Sequence, residues 1–320
     1  MILDEYPQGL ILTGPTGSGK SRLALDLAER LEAEIVSMDS MALYRHMDIG
    51  TAKPTAEDRR CVPHHLLDVL EPWESANVAW WLERAGDCCR DISARGKRPL
   101  FVGGTPLYLK ALLYGLFDGP PADETIRRRL SEEAAAIGAA ALHDRLATVD
   151  PVSAARLHPN DMRRVIRALE VWELTGRPIS EWQTQWKRVE GGEWRVEGKD
   201  VPPPSTLHPP RCLCLDLPRS ELYARIDARV ERMIAEGLVE EVRALRRLER
   251  PLSREAAQAL GYKEMIAYLD GQADLIQTIQ HIQRRSRQFA KRQMTWFRHL
   301  NSCRMVRAEL TFAAWGLTMQ

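Results

Sequence analysis

The chain has 320 residues, of which 44% are hydrophobic and 28% charged, with a formal net charge of +1. That is enough for one large α/β domain plus a smaller unit, within the composition range of soluble globular proteins. Near-neutrality excludes a global attraction for polyanions, so any nucleic-acid binding must come from local clusters. No apolar run approaches the roughly 18 residues of a membrane span, and residues 1–6 lack the layout of an export signal, so a cytoplasmic protein is expected. The cysteines, Cys61, Cys88, Cys89, Cys212, Cys214 and Cys303, include no C-x-x-C pair. This predicts free, unreactive thiols rather than a zinc site or a disulfide framework.

Leu10-Ile11-Leu12 reads as a strand and runs into Gly14-Pro15-Thr16-Gly17-Ser18-Gly19-Lys20-Ser21, a complete match to G-x-x-x-x-G-K-[ST]. A helical stretch over 22–31 follows. In that setting successive backbone N–H groups and the helix start face an anion. Lys20 adds a mobile charge, and the Ser21 hydroxyl is a hard oxygen for Mg2+ on the same phosphates. Gly14, Thr16, Gly17, Ser18, Gly19, Lys20 and Ser21 are therefore the predicted diphosphate-binding residues.

A second strand, Glu34-Ile35-Val36-Ser37, ends at Met38-Asp39-Ser40. Helical sequence over 78–94 leads to a third, Arg98-Pro99-Leu100-Phe101-Val102, closed by Gly103-Gly104-Thr105-Pro106. Such alternation predicts a parallel sheet covered on both faces, with functional groups just past the strand C-termini. The pattern changes at Gly119-Pro120-Pro121. Residues 122–185 read as all-helical, 191–210 as a proline-rich loop, and Cys212-Leu213-Cys214-Leu215-Asp216-Leu217 as a return to strand. The expected organisation is a discontinuous α/β core, 1–121 and 205–320, of the P-loop NTPase-like class, with a helical insertion over 122–204.

The phosphate loop alone does not name a reaction, because kinases, ATPases and transferases share it. ATPases and GTPases usually carry a second acid at the end of an apolar strand. Here Leu100-Phe101-Val102 ends in Gly103-Gly104-Thr105, without a carboxylate. The nearest acid after a strand is Asp39, a candidate for water-mediated Mg2+ binding, for accepting a proton, or for capping a helix. Together these features suggest a transferase that uses a phosphorylated donor.

Two basic clusters follow. Residues 281–298 contain Arg284, Arg285, Arg287, Lys291, Arg292 and Arg298 and no acid. Leu275, Ile282, Phe289 and Trp296 recur every seventh residue, predicting a buried stripe with unpaired arginines turned outward. Arg163, Arg164 and Arg167 lie opposite the apolar face of an insertion helix. Both surfaces suit the phosphates of a structured RNA, for positioning rather than for reading sequence.

The ordered blocks identify a resemblance. They are the phosphate loop; Asp39-Ser40; Asp48-Ile49-Gly50-Thr51-Ala52-Lys53-Pro54; Pro63-His64-His65-Leu66-Leu67-Asp68; Val102-Gly103-Gly104-Thr105-Pro106-Leu107-Tyr108; His158-Pro159-Asn160-Asp161; Leu260-Gly261-Tyr262-Lys263-Glu264; and Arg287-Gln288-Phe289-Ala290-Lys291-Arg292-Gln293. The chain resembles the tRNA dimethylallyltransferase (tRNA isopentenyltransferase) family in its bacterial form. The resemblance implies transfer of a dimethylallyl group from dimethylallyl diphosphate to N6 of the adenosine at tRNA position 37, with Mg2+, by a monomer. It implies Asp39 as general base at N6, and Thr105 and Arg229 as holders of the diphosphate. It further implies tRNA contacts from Asp39, Ser40, Met41, Ala42, Thr105, Arg127, Arg163, Arg164, Arg167, Gly261, Lys263, Arg287, Gln288, Lys291, Arg292 and Gln293. His64 and His65 are expected to be structural. The tryptophans of Pro72-Trp73-Glu74-Ser75-Ala76-Asn77-Val78-Ala79-Trp80-Trp81 and the length of the 191–210 loop depart from the family's usual pattern.

Overall fold

The computed structural model describes residues 2–117, 119–183, 187–188, 194–195 and 211–317. Its strands are β1 (Leu10–Thr13), β2 (Ala33–Ser37), β3 (His64–His65), β4 (Arg98–Gly103), β5 (Lys187–Arg188), β6 (Trp194–Arg195), β7 (Cys212–Leu215) and β8 (Cys303–Val306). β5 and β6 form a short antiparallel ladder. The other six form a parallel sheet in the order β3-β2-β4-β1-β7-β8. β1 is central, with Thr13 opposite Gly103 on one side and Cys214 on the other. This parallel sheet with a phosphate loop after its central strand is a P-loop NTPase-like core.

The chain divides into two compact units, Met1–Leu113 with Pro202–Gln320, and Tyr114–Val201. The first holds α1 (Ile2–Glu5), α2 (Lys20–Arg30), α3 (Ala56–Cys61), α4 (Val78–Ala94) and nearly all of α5 (Pro106–Tyr114). After the second unit it adds α11 (Arg219–Ala235), α12 (Leu238–Leu245), α13 (Arg254–Ala257), α14 (Tyr262–Leu269), α15 (Leu275–Arg298) and α16 (Thr311–Ala314). The second holds α6 (Glu124–Ile137), α7 (Ala139–Val149), α8 (Pro151–Arg156), α9 (Met162–Thr175) and α10 (Ile179–Trp182). Among the described residues no helix is long and apolar enough to cross a membrane.

Strand alternation sorts the core. Leu10, Leu12, Leu100, Val102, Leu213 and Leu215 meet Ala24, Leu27 and Ala28 of α2 on one face of the sheet. The intervening Phe101 contacts buried Trp81 edge-on, and Trp81 stacks on Tyr108 with centroids 4.4 Å apart. The Trp81 indole N–H donates to Ser37 O at 3.1 Å. The tryptophan-rich departure thus becomes a packing element beneath β2, with the polar end of the ring satisfied.

In the helical unit Leu130, Leu142, Leu146, Val165, Leu169 and Ile179 form a separate core, on which Phe117 packs. Asp150 links two helix starts, accepting from Ser153 N at 2.9 Å and Ser180 N at 3.0 Å. The turn at Gly119-Pro120-Pro121, read from sequence as the break, lies inside this unit because Pro120 O accepts a hydrogen bond from Arg167. Most of the 191–210 loop, and with it the break expected at 204/205, lies outside the described residues.

Two expectations need correction. Cys212 and Cys303 are not free: they sit in register across β7 and β8 with Cα atoms 4.7 Å apart and form a disulfide. Their 91-residue separation gives no local signal; only strand pairing joins them. Cys61, Cys88, Cys89 and Cys214 are free, and burial pushes the Cys89 and Cys214 thiols up to about 12. Second, the buried stripe of α15 is Thr278, Ile282, Ser286, Ala290, Gln293, Met294 and Phe297. Leu275, Phe289 and Trp296 are only partly covered. Small residues at steps of four let α15 lie close against α11, where Ala290 meets Leu222 and Ile226.

Candidate active site

The site is built where β1, β2 and β4 end. After Thr13 the chain curls through Gly17 and Gly19, whose φ values of 80° and 85° are left-handed. The turn lies tight on α11, since a Cβ at Gly17 would come 2.9 Å from Ile226. Ser18 is buried, and its hydroxyl has no hydrogen-bond partner among the described residues. A buried orphan hydroxyl in a glycine-rich turn that leads into a helix start suits a loop that accepts an anion.

Lys20 opens α2, its ammonium donating to Pro15 O at 3.3 Å. Burial, seconded by the positive charge of Arg229, brings its pKa down to about 8, against opposing pulls from Asp39 and Cys214. The Lys20 surface is only partly covered, but the side chain lies deep among protein atoms, and that desolvation leads. Arg229, on α11, gives Nη1 to Thr16 Oγ1 at 3.1 Å and Nη2 to Thr51 O at 3.4 Å. Burial also lowers its pKa, with Arg232 adding to the effect and Asp39 opposing it. Asp39 is thus the carboxylate whose field both cations feel.

The ends of β2 and β4 are zipped together. Thr105 N donates to Met38 O at 3.2 Å, and Ser40 N donates to Thr105 Oγ1 at 3.1 Å. The contact is so close that a Cβ at Gly103 would collide with the Met38 carbonyl. Asp39 Oδ1 accepts the Met41 N–H at 2.9 Å, a local turn that fixes one oxygen and leaves Oδ2 with no partner among the described residues. Asp39, Thr105, Lys20 and Arg229, expected to work together, are assembled on one side of the phosphate loop.

Gln293 has a placement that sequence did not suggest. It is 2% exposed; its Oε1 accepts the Thr16 N–H at 2.9 Å and its Nε2 donates to Gly104 O at 2.6 Å. It braces the phosphate loop against the β4 turn. Room for this amide requires glycine at position 104, where a Cβ would come 2.6 Å from Nε2 and 3.5 Å from the Lys20 ammonium. Lys53, side chain 1% exposed, likewise ties the 44–68 loop through Tyr44 O, Asp48 and Asp68.

The basic residues divide into paired and free. In α15, Arg285 pairs with Glu264 at 2.7 Å, Arg287 with Asp227, and Arg298 with Asp216 at 3.7 Å. The sequence reading of six unpaired charges is corrected: the acids come from α14, α11 and the end of β7, outside the helix itself. Arg284, Lys291 and Arg292 are exposed and have no carboxylate partner among the described residues; Gln288 and Lys263 are exposed too. Gly261 and Ala42 are buried, while Ser40 and Met41 are half-buried. In the helical unit, Arg127 at 2.9 Å and Arg167 at 2.7 Å both clasp Glu170, which is 0% exposed. Arg163 and Arg164 stay exposed, Arg164 with Asp161 at 3.2 Å. His65 bonds Glu34 at 2.7 Å and His64 bonds Val62 O, and neither is at the site.

A family profile described as IPP transferase matches residues 42–300. A tRNA dimethylallyltransferase of Geobacter metallireducens is 48% identical over 297 residues, covering 92% of this chain and 91% of the relative. One from Stenotrophomonas maltophilia is 43% identical, covering 98% of this chain and all of the relative (100%). Among solved structures, the tRNA isopentenylpyrophosphate transferase of Bacillus halodurans superposes with a TM-score of 0.63 at 40% identity, over 94% of this chain and 90% of the other. A eukaryotic dimethylallyltransferase acting on tRNA gives a TM-score of 0.72 at 26% identity, over 96% of this chain and 76% of that one. Matched along most of its length by profile, sequence and fold, the chain belongs to the IPP transferase family and is an enzyme.

Proposed function

We propose that this enzyme transfers a dimethylallyl group from dimethylallyl diphosphate to N6 of the adenosine at position 37 of a tRNA, next to the anticodon, releasing diphosphate. The observation that carries the reading is the meeting of Lys20, Arg229 and Asp39 in one electrostatic neighbourhood beside the phosphate loop. An adenine amino group is a weak nucleophile, so the donor's C1–O bond must be polarised. In the reaction a bond forms from N6 to C1 while the C1–O bond breaks, and diphosphate leaves with the electron pair. Loop N–H groups, Lys20 and Arg229 stabilise the charge that grows on the departing oxygen. Thr105 is the hydroxyl beside it, already oriented by accepting from Ser40 N. Asp39, one oxygen fixed by Met41 N, uses the other to orient N6 and take its proton. The adenine must leave its stack to reach this carboxylate.

Among the described residues no cluster of three or more His, Cys, Asp or Glu side chains could cage a metal. An all-oxygen set of few protein ligands fits Mg2+, which keeps waters and binds largely through substrate phosphates. Ser21, at the start of α2, and Asp39 through water would hold it, and when bound it would neutralise charge on the diphosphate. Exposed Lys291, Arg292 and Lys263 in one unit and Arg163 in the other are the side chains we assign to tRNA phosphates. We also read the enzyme as a cytoplasmic monomer, which light scattering on the purified protein tests for its oligomeric part.

The direct experiment incubates the purified chain with dimethylallyl diphosphate, Mg2+ and an anticodon stem-loop. Nucleoside mass spectrometry should find a five-carbon addition on adenine. Label from the donor appearing only in free alcohol and diphosphate, with unmodified RNA, would refute the assignment.

A further inference from the structure

The α12 helix carries an acid to which no motif pointed. Glu241 Oε2 accepts the backbone N–H groups of Asp48 at 2.8 Å and Ile49 at 2.7 Å. Its Oε1 accepts from Gly50 N at 3.1 Å and from the Tyr262 hydroxyl at 2.6 Å. Three consecutive main-chain donors on one carboxylate fix both the position and the conformation of a turn, and charge-assisted bonds of this kind are the stronger sort. The Tyr262 ring fills the space that any side chain at Gly50 would need, so turn and ring are in direct contact. Burial, followed by the Glu241 charge, pushes the Tyr262 phenol far above its ordinary value, so it remains a donor to that carboxylate.

The turn continues directly into the site. Thr51, the next residue, closes it from the other side, its hydroxyl donating to Met47 O at 2.5 Å. Its carbonyl then accepts from Arg229 Nη2 at 3.4 Å, and Arg229 Nη1 reaches Thr16 of the phosphate loop at 3.1 Å. One face of the guanidinium is therefore held by a backbone carbonyl whose own placement depends on a carboxylate about 190 residues away.

We propose that Glu241 is a positioning residue for Arg229: it locks the 48–50 turn so that the Thr51 carbonyl holds the guanidinium against the phosphate loop. This rests on the assignment of Arg229 to the donor diphosphate. Glu241→Gln keeps the size of the side chain but replaces one acceptor oxygen with an amide that would face N–H donors, which unlocks the turn. A merely structural glutamate and a positioning one differ in a double-mutant cycle.

The test measures transfer by the full chain with Mg2+ and saturating tRNA, varying dimethylallyl diphosphate, for wild type, E241Q, R229A and E241Q/R229A. E241Q should lower kcat/KM for the donor about 10- to 100-fold, as expected when a catalytic cation is displaced by a fraction of an ångström to an ångström, with tRNA affinity unchanged. In the R229A background the same change should cost nothing further. An equal loss in both backgrounds, or unaltered donor kinetics in E241Q, overturns the proposal while leaving Arg229 in place. Wild-type activity in R229A instead removes Arg229 from the diphosphate, and this inference with it. If circular dichroism shows that E241Q does not fold, Tyr262→Phe, which deletes one hydrogen bond, enters the same cycle with a smaller loss expected and the same readings.

Discussion

The amide oxygen of Gln293 accepts the Thr16 backbone N–H at 2.9 Å across 277 residues of chain, joining the longest helix to the phosphate loop. Gln293→Leu leaves this N–H and the Gly104 carbonyl unsatisfied, at a cost of about 1–3 kcal/mol. The expected result is a raised KM for dimethylallyl diphosphate with unchanged tRNA affinity, read by steady-state kinetics and filter binding. Weaker tRNA binding with normal donor KM would return Gln293 to the RNA side.

Asp39→Ala should abolish product, with a loss of at least about 10²–10⁴-fold as for removal of a general base. The fold and most of the tRNA affinity should survive, because the carboxylate's only hydrogen bond among the described residues is local, to Met41. Single-turnover assays at saturating RNA check this; full turnover in the variant would take Asp39 out of the chemistry.

The Lys20 ammonium titrates at about 8, below its ordinary value because it is buried. Above that pH the free enzyme loses the cation, so donor kcat/KM should fall about tenfold per pH unit once the limb is reached. Stability runs the other way. The unfolded chain holds this proton up to about 10.5, so between about 8 and 10.5 the Lys20 contribution to folding becomes more favourable as pH rises. Lys20→Arg should erase the alkaline limb; a limb that persists belongs to another group.

Charge reversal at the exposed Lys291 and Arg292, which have no carboxylate partner among the described residues, should weaken tRNA binding and flatten its salt dependence. The slope of log K against log salt should shrink by about 0.7–0.9 for each phosphate that the protein ceases to neutralise. Binding isotherms over a salt series give this directly, and an unchanged slope would place the RNA elsewhere.

Arg127→Ala removes one of two guanidiniums from buried Glu170. A lowered melting temperature is expected, from a loss of about 1.5–3 kcal/mol, the range for a hydrogen bond to a charged group. Exposed Arg163→Ala should leave melting unaltered and change only tRNA affinity. Calorimetry separates the two.

Groups whose meaning is local were legible in the sequence. The phosphate loop, Asp39 after β2 and Thr105 after β4 each sit at a strand end, and a parallel sheet gathers its strand ends. Gln293 and Glu241 were not legible as donor-side residues, because each acts through backbone atoms from a helix remote in sequence. The arginines of α15 were misread for a related reason: within the helix no acid answers them, but Asp227, Glu264 and Asp216 do so from elsewhere. Two-residue β3 is too short to register, and β8 escaped because exposed Arg304 interrupts the continuous apolar run that marks equally short β1 and β7.

The contact between Gly103 and the Met38 carbonyl bears on how this pocket tolerates change. Where two main chains touch, no smaller residue exists to relieve the pressure and no neighbouring rotamer can yield. Saturating codon 103 and selecting for modified nucleoside in cells should therefore recover glycine codons alone. Codon 39 should be less strict towards folding, because an asparagine there fills the same space as the native carboxylate.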